Sequence, residues 1–111
     1  MKINFNHTAL QGEILLPASK SISNRALIIQ AICKKECIIN NLSDANDTIL
    51  LKNLLDKINH PEEEIIIDVE DAGTACRFLT SLLAIQHNKK FILKGTERMH
   101  LRPIGDLVNA L

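Results

Sequence analysis

Pro17-Ala18-Ser19-Lys20-Ser21-Ile22-Ser23-Asn24-Arg25 joins an extended apolar run to a helical pattern, and the rest of the chain is arranged around that junction. Pro17 closes the extended run, and Ser19 or Ser21 supplies the hydroxyl that a helix N-cap needs. From about Ser21 to about Cys33 the spacing of Ile22, Ala26, Ile29 and Cys33 predicts a first helix with those residues on one face. Ser21 and Arg25 are four apart and so share a helix face. Lys20, the Ser21 hydroxyl and Arg25 therefore converge on a helix start, where unpaired backbone N–H groups and the positive end of the helix dipole already favour an anion. Cations, a hydroxyl and free amides at one point suit a phosphate or carboxylate.

Before this junction, residues 2–16 alternate loosely through Ile3, Phe5, Ala9, Ile14 and Leu16, with Gly12 between two short strands or at a bulge. After it, Cys37-Ile38-Ile39-Asn40 reads as a short strand, and Asp44 as the N-cap of a second helix carrying Ile49, Leu50, Asn53, Leu54 and Ile58. Glu64 to Val69 reads as a strand. Its continuous Ile65-Ile66-Ile67 run predicts burial on both faces. Asp71-Ala72-Gly73-Thr74 turns into a third helix with a stripe of Ala75, Phe78, Leu79, Leu82, Leu83 and Ile85, ending at His87-Asn88. Phe91-Ile92-Leu93 is a further strand, Thr96 to Leu101 a polar loop, and Pro103 the first position of a fourth helix with Ile104, Leu107, Val108 and Leu111. Alternating strands and helices argue an α/β fold. The helix starts near residues 21, 44, 73 and 103 give a rough internal repeat. The last pattern breaks off without a stop signal, so the sequence reads as a truncated one.

The chain has 111 residues, 46% of them hydrophobic, so it holds one domain or a piece of one. With three Phe and no Trp or Tyr, its core must be built from Ile, Leu, Val and Ala. Thirteen basic residues balance thirteen acidic ones, which leaves no global electrostatic case for nucleic acid or an anionic membrane. The lack of aromatics also removes a base-stacking platform. Charge is nonetheless uneven: Glu36 to Asp71 holds ten acids and two lysines, and Lys89 to Arg102 five bases and one acid, read as solvated faces of opposite sign. Three cysteines, Cys33, Cys37 and Cys76, without a signal-like N-terminus indicate free thiols in a reducing, cytoplasmic setting. No apolar run approaches membrane-spanning length. The four histidines have no metal-ligand partners at helical spacing, although His100 lies between Arg98 and Arg102 and is within reach of a ligand there. No catalytic grouping such as Ser-His-Asp is visible.

Three of the four helix starts are basic: Lys20 and Arg25 at the first, Gly73-Thr74 with Arg77 at the third, Arg98 and Arg102 at the fourth. The second is acidic and caps itself through Asp44 and Asp47. A cation at a helix start opposes the dipole by a few tenths of a kcal/mol, and an anion between such cations reverses that penalty. The pattern points to a common anion pocket. Arg77 reads equally as a partner of Asp71. Gly73 lets an anion approach the backbone, and the Thr74 hydroxyl can donate to it.

These residues carry a resemblance. Leu16-Pro17-Ala18-Ser19-Lys20-Ser21-Ile22-Ser23-Asn24-Arg25-Ala26-Leu27 resembles the N-terminal signature of the 5-enolpyruvylshikimate-3-phosphate synthases. So do Asn41-Leu42-Ser43-Asp44-Ala45-Asn46-Asp47-Thr48, Asp71-Ala72-Gly73-Thr74-Ala75-Cys76-Arg77 and Glu97-Arg98-Met99-His100-Leu101-Arg102-Pro103-Ile104-Gly105, in the same order. The resemblance implies enolpyruvyl transfer from phosphoenolpyruvate to the 5-hydroxyl of shikimate 3-phosphate, with no cofactor or metal. It implies that Lys20 contacts both substrates, that Ser21 and Arg25 hold shikimate 3-phosphate, and that Gly73, Thr74 and Arg102 hold phosphoenolpyruvate, with Arg77 in support. It implies β-α-β-α-β-β repeat units in an inside-out α/β barrel, of which residues 19–111 are the first unit and the start of the second. Residues 1–18 would be a strand given to the other domain. Against the family pattern, the segment from Asn59 to Glu70 is short, Asp71 stands for a common Asn, and Phe78 for a common Pro. Family members are several times longer, which implies that a C-terminal part supplies the remaining contacts and the proton-moving groups, and that the 111 residues alone do not turn over. The alternatives are the related transferase acting on UDP-N-acetylglucosamine, which lacks the Ser-Lys-Ser…Asn-Arg pattern, and a non-catalytic module that binds anions or self-associates through an exposed sheet edge and apolar helix faces.

Overall fold

In a computed structural model of the chain, residues 11–33, 37–61 and 63–111 are described. They form α1 (Lys20–Ile32), α2 (Asn46–Ile58), β1 (Glu64–Asp68), α3 (Gly73–Ala84), β2 (Lys90–Lys94), the single turn α4 (Glu97–His100) and α5 (Gly105–Ala110). β1 and β2 are parallel, with Ile66 opposite Ile92, and α3 is the crossover between them. The α/β class is thus observed, with a small parallel sheet.

Helices cover one face of that sheet. Ile65 and Ile67 are fully buried, and with Val69 they meet Leu51, Leu54 and Ile58 of α2 and Ala75, Leu79, Leu82 and Leu83 of α3. Burial of β1 on both faces is not observed. Ile66 is 46% exposed, because its side chain alternates onto the face that no helix covers. On that open face a part of the unevenly spread charge pairs across the strands. Lys90 meets Glu64, and Lys94 Nζ lies 3.2 Å from Asp68. The Glu70 N–H, donating to Asp68 Oδ1, and the Lys94 ammonium hold the Asp68 carboxyl below its ordinary value.

The remaining differences from the sequence reading are local. The first part of the expected N-terminal strands lies outside the described residues. Residues 11–19 form no strand, and Ile14, Leu15 and Leu16 are exposed. Cys37 to Asn40 form no strand either, and among the described residues no strand pairs with them. Ser19 caps α1 as expected, its Oγ accepting from the Ile22 N–H. The buried face of α1, however, is Ser23, Asn24 and Leu27, and Ile22 and Ile29 are exposed. At α2 the cap is Ala45, with the Ser43 hydroxyl accepting from its N–H, in place of Asp44. The stripe of α2 is Thr48, Leu51, Leu54 and Ile58, and Ile49 is half-exposed. The third helix ends at Ala84, short of His87, and Ile85 is exposed. The Thr96–Leu101 loop contains α4, because the Thr96 hydroxyl accepts from the Met99 N–H and Met99 reaches the core. The last helix starts at Gly105 rather than at Pro103, because Ile104 is non-helical at φ −134°.

Polar contacts align α1 with α2. Lys20 Nζ lies 3.0 Å from Asp47 Oδ2, Ser23 Oγ accepts from the Ser43 N–H at 2.9 Å, and Thr48 Oγ1 donates to Asn24 Oδ1 at 2.8 Å. All three join the start of α1 to the start of α2, so the two helices run parallel. The short connection 59–63 turns the chain back from α2 into β1. The starts of α1, α2 and α3 and the segment after β2 therefore all lie at the carboxyl end of the sheet, which is where open α/β sheets bind ligands.

Candidate functional site

Gly73 opens α3 immediately after β1. Its N–H donates to the Asp71 carbonyl at 2.9 Å, and the first amide inside the helix ladder is that of Cys76, donating to Ala72. The cap residue Ala72 has no side-chain acceptor. The Thr74 amide therefore has no acceptor among the described residues, and on exposed Thr74 it faces out of the positive end of α3, while Ala75 behind it is fully buried.

Two guanidinium groups flank this start. Arg77, one turn into α3, donates from Nη1 to the Gly73 carbonyl at 3.2 Å and from Nη2 to the Pro103 carbonyl at 3.1 Å. It makes no pair with Asp71, whose Oδ1 instead accepts from the Thr96 hydroxyl. Arg102 arrives from the turn after α4. Its guanidinium lies over Gly73, at the place where the Cβ of any larger residue would stand. No hydrogen bond or ion pair engages that guanidinium among the described residues, so its five donors are available to an anion. Gly73 is thus required for the approach of Arg102 as much as for a ligand.

The first basic helix start is arranged differently. Lys20 is held by Asp47, and Arg25 Nη1 donates to the Ser21 carbonyl at 3.0 Å along its own helix. The acidic second start, expected to serve only its own cap, supplies that partner for Lys20. Both groups lie at the carboxyl end of the sheet, Gly73, Thr74, Arg77 and Arg102 in one cluster and Lys20, Ser21 and Arg25 in the other. Among the described residues no hydrogen bond or ion pair bridges the two. Arg98 and His100 are exposed on α4 and take no part in either. The described residues hold no cluster of three His, Cys, Asp or Glu fit for a metal ion.

Sequence reading missed the partners that fix these side chains: Asp47, Thr96, and the Asn24–Thr48 and Ser23–Ser43 pairs. Thr48 and Asn24 stand at helical positions beside Leu51 and Leu27, so a stripe that admitted polar residues would have included them.

The comparison with known families shows where the chain belongs. The model of the family described as EPSP synthase (3-phosphoshikimate 1-carboxyvinyltransferase) matches residues 6–64 and 52–111. The chain belongs to this family. A 3-phosphoshikimate 1-carboxyvinyltransferase of Bacteroides fragilis is 49% identical over 102 residues, which cover 92% of this chain and 23% of that protein. Proteins of the same name from Buchnera aphidicola and Ralstonia pickettii are each 37% identical, over 92% and 91% of this chain and 29% and 27% of theirs. The chain spans about a quarter of the length of these EPSP synthase relatives. No solved structure matches. The Buchnera alignment runs to 123 residues for the same share of this chain that needs 102 with the Bacteroides protein, so the former carries residues that this chain and the latter lack. The two matched stretches of the family overlap at 52–64.

Proposed function

We propose that this chain forms the phosphate-gripping part of an enzyme that transfers the enolpyruvyl group of phosphoenolpyruvate to the 5-hydroxyl of shikimate 3-phosphate, in aromatic amino-acid biosynthesis. Family membership and the names of the relatives support the reaction. The observation that carries the site is the unpaired Arg102 guanidinium above Gly73, beside the free amide of exposed Thr74. On this reading Gly73, Thr74 and Arg102 take phosphoenolpyruvate, and Ser21 and Arg25 take shikimate 3-phosphate. Lys20 exchanges Asp47 for both substrates. The 5-hydroxyl gives up its proton as its oxygen adds to the enolpyruvyl carbon and the methylene gains a proton to become a methyl group. The methyl group then loses a proton as the tetrahedral intermediate expels phosphate and the double bond re-forms. Cations that offset the repulsion of two anionic substrates and fix their geometry account for this chain's share of the catalysis.

The same reading makes residues 19–111 the first β-α-β-α-β-β unit and the start of a second in an inside-out α/β barrel, with residues 1–18 contributed to another domain. It places the protein in the cytoplasm. The described helices include none long and apolar enough to cross a membrane. On this reading the remaining substrate contacts and the proton-moving groups belong to the part of the longer relatives that this chain does not span, so the 111 residues alone are expected to release no phosphate from the two substrates above background. Calorimetry tests the binding half. Shikimate 3-phosphate binds the chain, and Lys20→Ala and Arg25→Ala each weaken it about tenfold, the loss of one charge-assisted contact. Unchanged affinity in both variants contradicts the assignment.

A further inference from the structure

Arg77 and Arg102 stand against the same glycine and are bonded in opposite ways. Arg77 gives one arm of its guanidinium to the Gly73 carbonyl and the other to the Pro103 carbonyl, across 26 residues of chain. The guanidinium of Arg102, the neighbour of Pro103, gives no hydrogen bond among the described residues, and its backbone N–H donates to the Met99 carbonyl at 3.1 Å. Little else fastens the segment that carries it. α5 buries no residue, and beyond Met99 the packing against the core comes from half-buried Ile104. The backbone of the 102–104 turn is thus tied to the first turn of α3 by a fork whose two ends are both carbonyl oxygens. That tie sets the Arg102 guanidinium over Gly73.

We infer that Arg77 is a positioning residue for Arg102, acting by bridging the Gly73 and Pro103 carbonyls and not by lending its charge to the ligand. This rests on the reading of Arg102 as a phosphoenolpyruvate ligand. A lysine retains the charge of Arg77 but is a point donor on a flexible stem. It cannot reproduce a planar fork that spans two fixed acceptors. A glutamine removes the charge and retains one short donor arm. Charge lending predicts that lysine rescues and glutamine does not; positioning predicts that neither does.

The test uses the 111-residue chain and its Arg77→Lys, Arg77→Gln and Arg102→Ala variants. Without ligand, nuclear Overhauser contacts between the Arg102 side chain and the Gly73 α-protons are expected in the parent and lost in both Arg77 variants. Their persistence in Arg77→Lys overturns the inference whatever the ligand proves to be. With phosphoenolpyruvate as the probe, both Arg77 variants are expected to bind about tenfold more weakly, and Arg77→Lys to cost nothing further in the Arg102→Ala background. Affinity equal to the parent's in Arg77→Lys, or a full additional loss in the Arg102→Ala background, also overturns it. Should Arg102→Ala leave phosphoenolpyruvate binding unchanged, the assignment of Arg102 as a ligand fails, while the ligand-free contacts still decide the role of Arg77.

Discussion

Gly73 shows how much one missing side chain determines. Its φ is not positive, so the backbone alone would accept any residue. What excludes a side chain is the Arg102 guanidinium that fills the Cβ position. That guanidinium ends a flexible chain and can swing aside, so Gly73→Ala should fold normally. At a helical position alanine holds or raises stability, by up to about 1 kcal/mol. Phosphoenolpyruvate affinity should nonetheless fall about tenfold as Arg102 is displaced. Urea unfolding beside a binding titration checks both. A stable Gly73→Ala chain with parent affinity contradicts the geometry. Gly95 has no such latitude, because an added Cβ would meet the Glu70 carbonyl at 2.7 Å. The chemical nature of Gly73, Arg77 and Arg102 was legible in the sequence, since basic residues at helix starts invite an anion. The bonding of Arg77 was not, because the Pro103 carbonyl that it reaches is a backbone group, and side-chain patterns say nothing of those.

At the scale of elements, the helices and strands that face the core were legible, and the polar ones were misread. α3 follows apolar periodicity closely, since it buries its aliphatic stripe against Ile65 and Ile67 of β1, whose continuous Ile65-Ile66-Ile67 run pointed to burial on both faces where one is buried. α1 does not: Ser23 and Asn24 are buried there while Ile22 is 70% exposed. Hydroxyl and amide pairs with α2 hold that face, and a search for apolar periodicity selects the wrong side of the helix. The Cys37–Asn40 segment has strand propensity but finds no partner strand among the described residues, and propensity alone makes no sheet. The Asn24 amide nitrogen has no partner among the described residues, although its oxygen accepts from Thr48. Thr48→Val should therefore cost about 1–3 kcal/mol by leaving that buried amide wholly unpaired. Asn24→Leu combined with Thr48→Val, which removes both partners, should restore part of the loss. Urea denaturation of the single and double variants measures this. A double variant no more stable than Thr48→Val alone shows that the pair does not set the α1–α2 contact.

For the whole molecule, the arrangement places every long helix start at one end of the sheet. Parallel α1 and α2, a return into β1 and a crossover to a parallel β2 require this, whatever the side chains are. The substrate-facing residues of the EPSP synthase reading then lie at a common end, in two groups, each already ordered: Lys20 by Asp47, Arg102 by Arg77. The central claim is that these groups take different substrates. The direct measurement is an amide chemical-shift titration of the 111-residue chain with each substrate separately. Phosphoenolpyruvate should shift Gly73, Thr74 and Ala75 first, and shikimate 3-phosphate should shift residues 20–25 first. Shifts from phosphoenolpyruvate that leave the start of α3 untouched, or the same residues other than Lys20, which meets both substrates, responding to both equally, would contradict it.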